Sequence, residues 1–490
     1  MTSSAQQSST PDPRRWKALA VTLTAGFMVL LDVSIVNVAL PSIQRDLGAS
    51  AGGVQWVISG YALTFGLVLV FGGRLGDALG RRRMFLIALT GFVLTSALAG
   101  AAPGPELLIV ARLLQGMTGG LLTPQNTGLI QELFSGPDRG KAFGMFGAVV
   151  GISTAVGPIL GGVILAVFGD PEGWRWVFYV NVPIGALALG LAAHLLPKSR
   201  ASLRGIGREL DFTGALLLGL AVVCVLFPIL EAEQGGLGTV WWLFLLAIAL
   251  GAAFVWWERR LVRLDRAPLL DLRLFTSTPG FASGATLGAV YFCAFTGIWL
   301  VFAMFFQQGL GFTPLASGLA VTPFAVGSAV SAVVAGRLVE RWGRRLTVIG
   351  LSLVLGCMLA VAALALLVPA ESVGWAVALP LLIGGIGGGM VISPNTTLTL
   401  ERVPTSMAGV AGGALQTGQR LGTAVGTALL AAVFHTAISL STGDYPLALT
   451  ISMLCAALLT LIALTLGVAE LRRRREVVNL DPTAAHCSQG

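Results

Sequence analysis

Hydrophobic positions along this chain come in runs of about 20 residues, separated by short polar stretches. A helix needs about 20 mostly apolar residues to cross about 30 Å of hydrocarbon. Fourteen runs meet that length: 18–41, 54–73, 84–102, 107–131, 142–168, 176–196, 212–230, 239–257, 281–306, 315–336, 346–368, 375–400, 408–434 and 446–469. The first is too long for the h-region of a signal peptide, contains Asp32 and lacks a small-residue cleavage site after it. Residues 1–13, rich in Ser, Gln and Pro, and residues 476–490 read as disordered tails.

Composition sharpens the picture. Hydrophobic residues make up 55% and charged residues 11%, with a mean hydropathy of +0.84. A soluble chain carries roughly 25% charged residues, so a water-soluble globule is excluded. Glycine is abundant, 64 of 490 residues, as expected where small side chains let membrane helices approach closely. Five cysteines without a close-set pair argue against a disulfide framework or a zinc site, and no metal or cofactor is expected. Cys224, Cys293, Cys357 and Cys455 lie in apolar runs and read as small core residues.

The basic residues orient the runs. With the N-terminus inside, 27 of the 31 Lys and Arg fall on the cytoplasmic side and two, Arg45 and Arg175, outside. Shifting the count by one span would destroy that asymmetry. Both termini are therefore expected in the cytoplasm. The formal charge of +8 describes a face meeting anionic lipid, since no basic stretch forms a separate nucleic-acid-binding domain. Ten of eleven tryptophans fall at or just outside span ends, where an amphipathic ring prefers the interface; Trp299 lies deep inside span nine.

The chain repeats itself. GRLGDALGRR at 73–82 recurs as GRLVERWGRR at 336–345, with Asp77 matched by Glu340. GGLLTPQN (119–126) has a looser echo in GGGMVISPN (387–395). Two six-helix halves with an inserted helical pair is the economical reading. It divides the chain into a tail (1–17), a first bundle (18–197), a linker with two inserted helices (198–280), a second bundle (281–470) and a second tail (471–490). Parallel repeats place a substrate site between the halves near mid-membrane.

Three formal charges remain inside these runs: Asp32, Arg112 and Arg420. Each must face the protein interior or a water-filled cavity, because charge is costly in hydrocarbon. Asp32 stands about 21 Å along its helix at 1.5 Å per residue. It is either a proton-carrying acid or a buried acid permanently paired with an arginine. Arg112 stays protonated, so it either biases a nearby carboxylate or satisfies carbonyls. Arg420 either faces substrate or binds backbone among the small residues of span thirteen. His194 and His435, near span ends, read as interface residues.

Glycine and proline mark positions that bend or touch. Span five carries Gly147/Gly151 and Gly157/Gly161 at four-residue spacing, with Pro158 and Gly162, which reads as a bend at a moving interface or as simple close packing. In the loop after span two, Gly73, Asp77, Gly80, Arg81 and Arg82 form either a topological anchor or a latch, with Asp77 pairing to an arginine or to a helix N-terminus. Glu340 and Arg344 are its counterparts in the repeat.

Taken together these segments resemble the major facilitator superfamily, and within it the fourteen-spanner drug/proton antiporters. LDVSIVNVALP (31–41) is similar to that family's span-one motif, with Asp32, Asn37 and Pro41 in register. GGRLGDALGRRR (72–83) resembles the loop signature, RLLQGMTGG (112–120) the span-four motif, GISTAVGPILGG (151–162) the span-five antiporter motif, and WRWVFYVNVPIG (174–185) the opening of span six. The loop signature often has a basic residue after its acid, where Ala78 stands here, so a latch must use Arg81 or Arg82.

The resemblance implies an all-α polytopic fold of 14 transmembrane helices in the cytoplasmic membrane. It implies export of amphipathic drugs, antibiotics or dyes in exchange for protons, by alternating access. Asp32 and Arg112 would couple the proton. Asn37, Phe295, Trp299, Phe302 and Arg420, with Phe305 and Phe306, are candidate cavity residues. The partners expected are a small-molecule substrate, protons and lipid, with the chain a monomer. An importer of a polar metabolite remains as an alternative, though three internal charges are few for a polar substrate. A membrane enzyme lacks its motifs: no H-E-x-x-H, G-x-S-x-G, C-x-x-C or phosphate-binding G-x-x-x-x-G-K-[ST] occurs. A sensor would want a larger cytoplasmic domain.

Overall fold

The computed structural model describes residues 14–49, 51–169, 172–197, 211–232, 237–264 and 266–480. Among them, fourteen long helices follow one another: α1 (Arg15–Leu47), α2 (Ala51–Leu79), α3 (Arg81–Gly100), α4 (Pro105–Leu133), α5 (Gly136–Phe168), α6 (Asn181–Leu195), α7 (Phe212–Ala232), α8 (Trp242–Arg263), α9 (Phe281–Met304), α10 (Pro314–Trp342), α11 (Arg344–Leu367), α12 (Ala378–Leu400), α13 (Ala408–Leu440) and α14 (Tyr445–Leu480). Thirteen stretches of the described residues are long and apolar enough to cross a membrane. The remaining long helix is α5, of 33 residues. The bend expected at Pro158 lies outside the described residues.

The packing repeats as the sequence does. In the first six helices α2 packs on α4, α1 on α5 and α6, and α3 on α4 and α6. In the last six α10 packs on α12, α9 on α13 and α14, and α11 on α12 and α14. The two sets meet along a symmetric pair of seams, α5 against α10 and α2 against α13. Each turn after the second helix of a set needs a left-handed residue, supplied by Gly80 (φ 92°) and Gly343 (φ 52°). The two arginine-rich signature turns lie here, at what we call the basic end.

Glycine makes the α5–α10 seam close. A Cβ on Gly140 would fall 2.5 Å from the Gly336 carbonyl oxygen, and one on Gly144 would fall 3.0 Å from the Gly336 Cα. Toward its other end α5 turns to α1 instead. Gly161 faces Ile35 and Val38, Gly157 faces Ser34, and the Ser34 hydroxyl donates to the Ser153 carbonyl at 3.1 Å. Gly162 is exposed with nothing near it. The glycines of span five thus serve two different neighbours.

The inserted pair α7 and α8 pack on each other, and α7 leans on α2 and α13. Helix α8 runs past its apolar run, so Glu258, fully buried, lies inside it and converges with Asp211 over Gly214. Trp257 Nε1 donates to both Asp211 oxygens at 3.0 and 3.1 Å. Helix α14 likewise extends through Glu470. The expectation of three charges within the apolar runs therefore undercounts the buried charges on the long helices, because run ends are set by hydropathy and helix ends by hydrogen bonding.

Candidate functional site: a buried carboxylate and a cross-bundle latch

Asp32 is completely buried, on α1. Three side chains surround its carboxylate. Arg112 Nη1 donates to Oδ2 at 2.5 Å, Gln115 Nε2 to Oδ1 at 3.0 Å and Asn181 Nδ2 to Oδ1 at 3.0 Å. Arg112 and Gln115 stand three residues apart on α4 and so share a helix face; they also bond each other at 2.8 Å. Asn181 opens α6 and is held by the Ser96 hydroxyl at 3.0 Å. One carboxylate therefore ties α1, α4 and α6 together.

Arg112 is itself fixed. Its Nε donates to the Val57 carbonyl at 3.0 Å, and its guanidinium lies 4.2 Å from the Tyr61 ring centroid. Both partners belong to α2, which approaches α4 closely because Gly116 and Gly120 lie against Tyr61 and Phe65. A buried charge pair is sustained only when its remaining donors and acceptors are met, and here most of them are. Gln115, Asn181 and Tyr61 were not singled out by sequence reasoning. Neutral polar residues carry no signal of their own, although Gln115 and Asn181 sit inside two of the recognised motifs.

The second constellation lies at the basic end. Asp77, near the end of α2, accepts the backbone N–H of Gly409 at 3.1 Å and of Val410 at 3.0 Å. These open α13, whose own N-cap Met407 offers no side-chain bond. Orphan N–H groups and the positive helix end both favour a carboxylate, so Asp77 caps a helix of the other bundle. Arg81, one turn on, holds Asp77 Oδ1 at 3.0 Å, Gly128 O at 2.9 Å and Glu132 Oε2 at 3.0 Å, and it also donates to the Thr405 carbonyl. Gly73 lies against the Gly409 backbone, and Arg139 Nη1 reaches the Glu401 carbonyl at 3.2 Å. The basic end is closed.

The repeat breaks here. Glu340, the counterpart of Asp77, is exposed. Arg344, the counterpart of Arg81, stays within its own bundle: it pairs with Glu470 at 2.8 Å and with Asn395 Oδ1 at 2.5 Å. Asn395 in turn donates to the Gly284 carbonyl at 3.0 Å. Arg82 also stays within its bundle, donating to the Ala193 carbonyl at 2.5 Å. Of the two arginines offered for a latch, Arg81 is the one that crosses. Glu470 was missed because it stands just beyond the last apolar run.

Among the cavity candidates, Phe295 and Trp299 are half-buried and meet edge to face at 5.5 Å. Asn37 is exposed. Phe302, Phe305 and Phe306 are packed in the interior of the second bundle, Phe302 stacked on Phe306 at 5.9 Å. Arg420 is half-buried, its guanidinium 4.4 Å from the Phe65 ring. Among the described residues no group of His, Cys, Asp or Glu could hold a metal ion.

Residues 22–427 match the Major Facilitator Superfamily family model. The chain belongs to this superfamily. It is 36% identical over 434 residues to a probable actinorhodin transporter of Streptomyces coelicolor, covering 86% of this chain and 73% of that one. It is 38% identical over 429 residues to the puromycin resistance protein pur8 of Streptomyces alboniger, covering 86% and 82%. A tetracenomycin C resistance and export protein of Streptomyces glaucescens is 34% identical over 420 residues, covering 85% and 75%. Among solved structures, the human organic anion transporter MFSD10 aligns at a TM-score of 0.66 with 15% identity, over 93% of this chain and all of that one. This major facilitator protein thus has a transporter's fold and exporters among its relatives.

Proposed function

We propose that this chain exports amphipathic small molecules across the cytoplasmic membrane in exchange for protons, by alternating access of residues 18–197 and 281–470, with 198–280 a linker carrying two inserted helices. The observation that carries the reading is Asp32, an enclosed carboxylate that joins three helices through Arg112, Gln115 and Asn181. The relatives named as antibiotic exporters support it.

Ionised, Asp32 draws Arg112 and holds α1 to α4. When it takes a proton its charge disappears, the Arg112 guanidinium loses its counter-ion, and the tie between α1, α4 and α6 loosens. That change biases the bundle toward another packing. The Asp77 and Arg81 contacts hold the basic end shut; we assign that end to the cytoplasm, with both termini, from the arginine bias. Opening there breaks the cap on α13, releases the proton inward and admits substrate. An inside-negative potential supplies about 2.3 kcal/mol per charge per 100 mV, so one proton drives a substantial gradient. The chain works as a monomer in this reading, since each element of the cycle lies within one copy.

Everted vesicles loaded by a proton gradient test this. The wild type accumulates a fluorescent amphipathic dye and a Asp32→Asn chain that reaches the membrane does not. Gradient-driven uptake at the wild-type rate by that variant overturns the assignment.

A further inference from the structure

Arg420 stands 12 residues into α13, about 18 Å from its start at 1.5 Å per residue. Its guanidinium rests on the Phe65 ring across the seam between bundles. Unlike Arg112 and Arg344, it has no carboxylate partner among the described residues, and no hydrogen bond satisfies it. Its nitrogens are not sealed in, since they are absent from the buried polar atoms that lack a partner and the residue is half-buried. An arginine cannot shed its proton to escape the cost. Asp32, the buried acid of the first bundle, is already occupied by Arg112.

The surroundings are aromatic with spare polar tips. Phe65 stacks on Tyr61 at 5.9 Å, and Tyr61 in turn carries Arg112 on its ring. One turn beyond Arg420, Thr423 meets Thr296 of α9 at 3.1 Å, within the second bundle. The Tyr61 hydroxyl is buried without a partner. The seam therefore offers one cation without a counter-ion, with the Phe65 and Tyr61 rings on the facing helix and an unused hydroxyl.

We propose that Arg420 receives the acidic group of a flat aromatic substrate, so that this transporter selects anionic amphiphiles over cationic ones. A guanidinium fork matches a carboxylate or phenolate bidentately, and the neighbouring rings take the apolar body. This deepens the export reading above and rests on it for the direction of transport.

Equilibrium binding to the purified full chain in detergent tests the inference without any proton gradient. Fluorescein and rhodamine 123 share a xanthene core and differ in charge. The wild type is expected to bind fluorescein at least tenfold tighter than rhodamine 123. Arg420→Gln should lower that ratio tenfold or more, and Arg420→Lys should keep most of it. Absence of fluorescein binding, a wild-type preference for rhodamine 123, or an unchanged ratio in Arg420→Gln overturns the anion site. If Arg420→Gln fails to fold, the wild-type ratio and Arg420→Lys still decide. None of these outcomes touches proton coupling, which the Asp32 assay tests through gradient-driven uptake rather than equilibrium binding.

Discussion

The Asp77 carboxylate caps a helix that begins 331 residues further along the chain, taking the N–H groups of Gly409 and Val410. That helix has no side-chain cap of its own. The contact exists only while the two bundles touch at the basic end, so in the proposed cycle its energy belongs to one conformation and biases the equilibrium between conformations.

Replacing Asp77 with Asn removes the charge and one strong acceptor. A lost cap costs about 1 kcal/mol, roughly a fivefold change in population. Amide exchange at Gly409 and Val410 should accelerate by about that factor, read by hydrogen exchange with mass spectrometry. Unchanged protection there would show that the cap does not hold the end closed.

Arg81 and Arg344 occupy equivalent positions of the repeat and should fail differently. Arg344 and Glu470 are buried inside one bundle, and removing one partner of such a pair costs about 3–5 kcal/mol. Arg344→Gln should therefore lower the melting temperature by several degrees. Arg81→Gln should leave melting closer to the wild type but loosen the basic end in the exchange experiment. Equal melting losses in both would refute the division of labour.

Gly140 allows backbone to meet backbone on the α5–α10 seam. Gly140→Val places methyl groups against the Gly336 carbonyl, and overpacking of this kind costs about 1–3 kcal/mol. The closed basic end should become the minor state, with efflux reduced about tenfold or more and secondary structure by circular dichroism intact. Wild-type efflux from that variant would mean the seam does not need to close.

Gln115→Ala removes one donor to Asp32 and one acceptor for Arg112 while leaving the Asp32–Arg112 pair. Hydrogen bonds to charged groups are worth about 1.5–3 kcal/mol, so gradient-driven efflux should fall measurably but stay above that of Asp32→Asn. Efflux at the wild-type rate would place Gln115 outside the coupling network.

The sequence disclosed the helices because hydrocarbon demands long apolar runs, and it disclosed Asp32, Arg112 and Arg420 because charge inside such runs is rare. It also offered a helix N-terminus as a target for Asp77, since that is what a carboxylate beside a helix end can serve. Which helix it serves was not legible, because Asp77 and Gly409 meet through tertiary packing alone. Gln115 and Asn181 were invisible for another reason: an uncharged amide costs little enough in a membrane helix to pass as ordinary. Glu258 and Glu470 escaped because hydropathy windows stop where charge begins, while their helices continue. Phe302, an aromatic side chain inside span nine, packs within the second bundle.

The closest part of the α5–α10 seam brings Gly140, Gly144 and Gly336 together. Where surfaces meet mostly through main chain and small side chains, few rotamers reset and few knobs withdraw when they separate. In the proposed exchange cycle the two lobes come apart and rejoin with little frictional cost, and the resistance to opening is concentrated in a handful of polar fastenings whose strength charge can adjust.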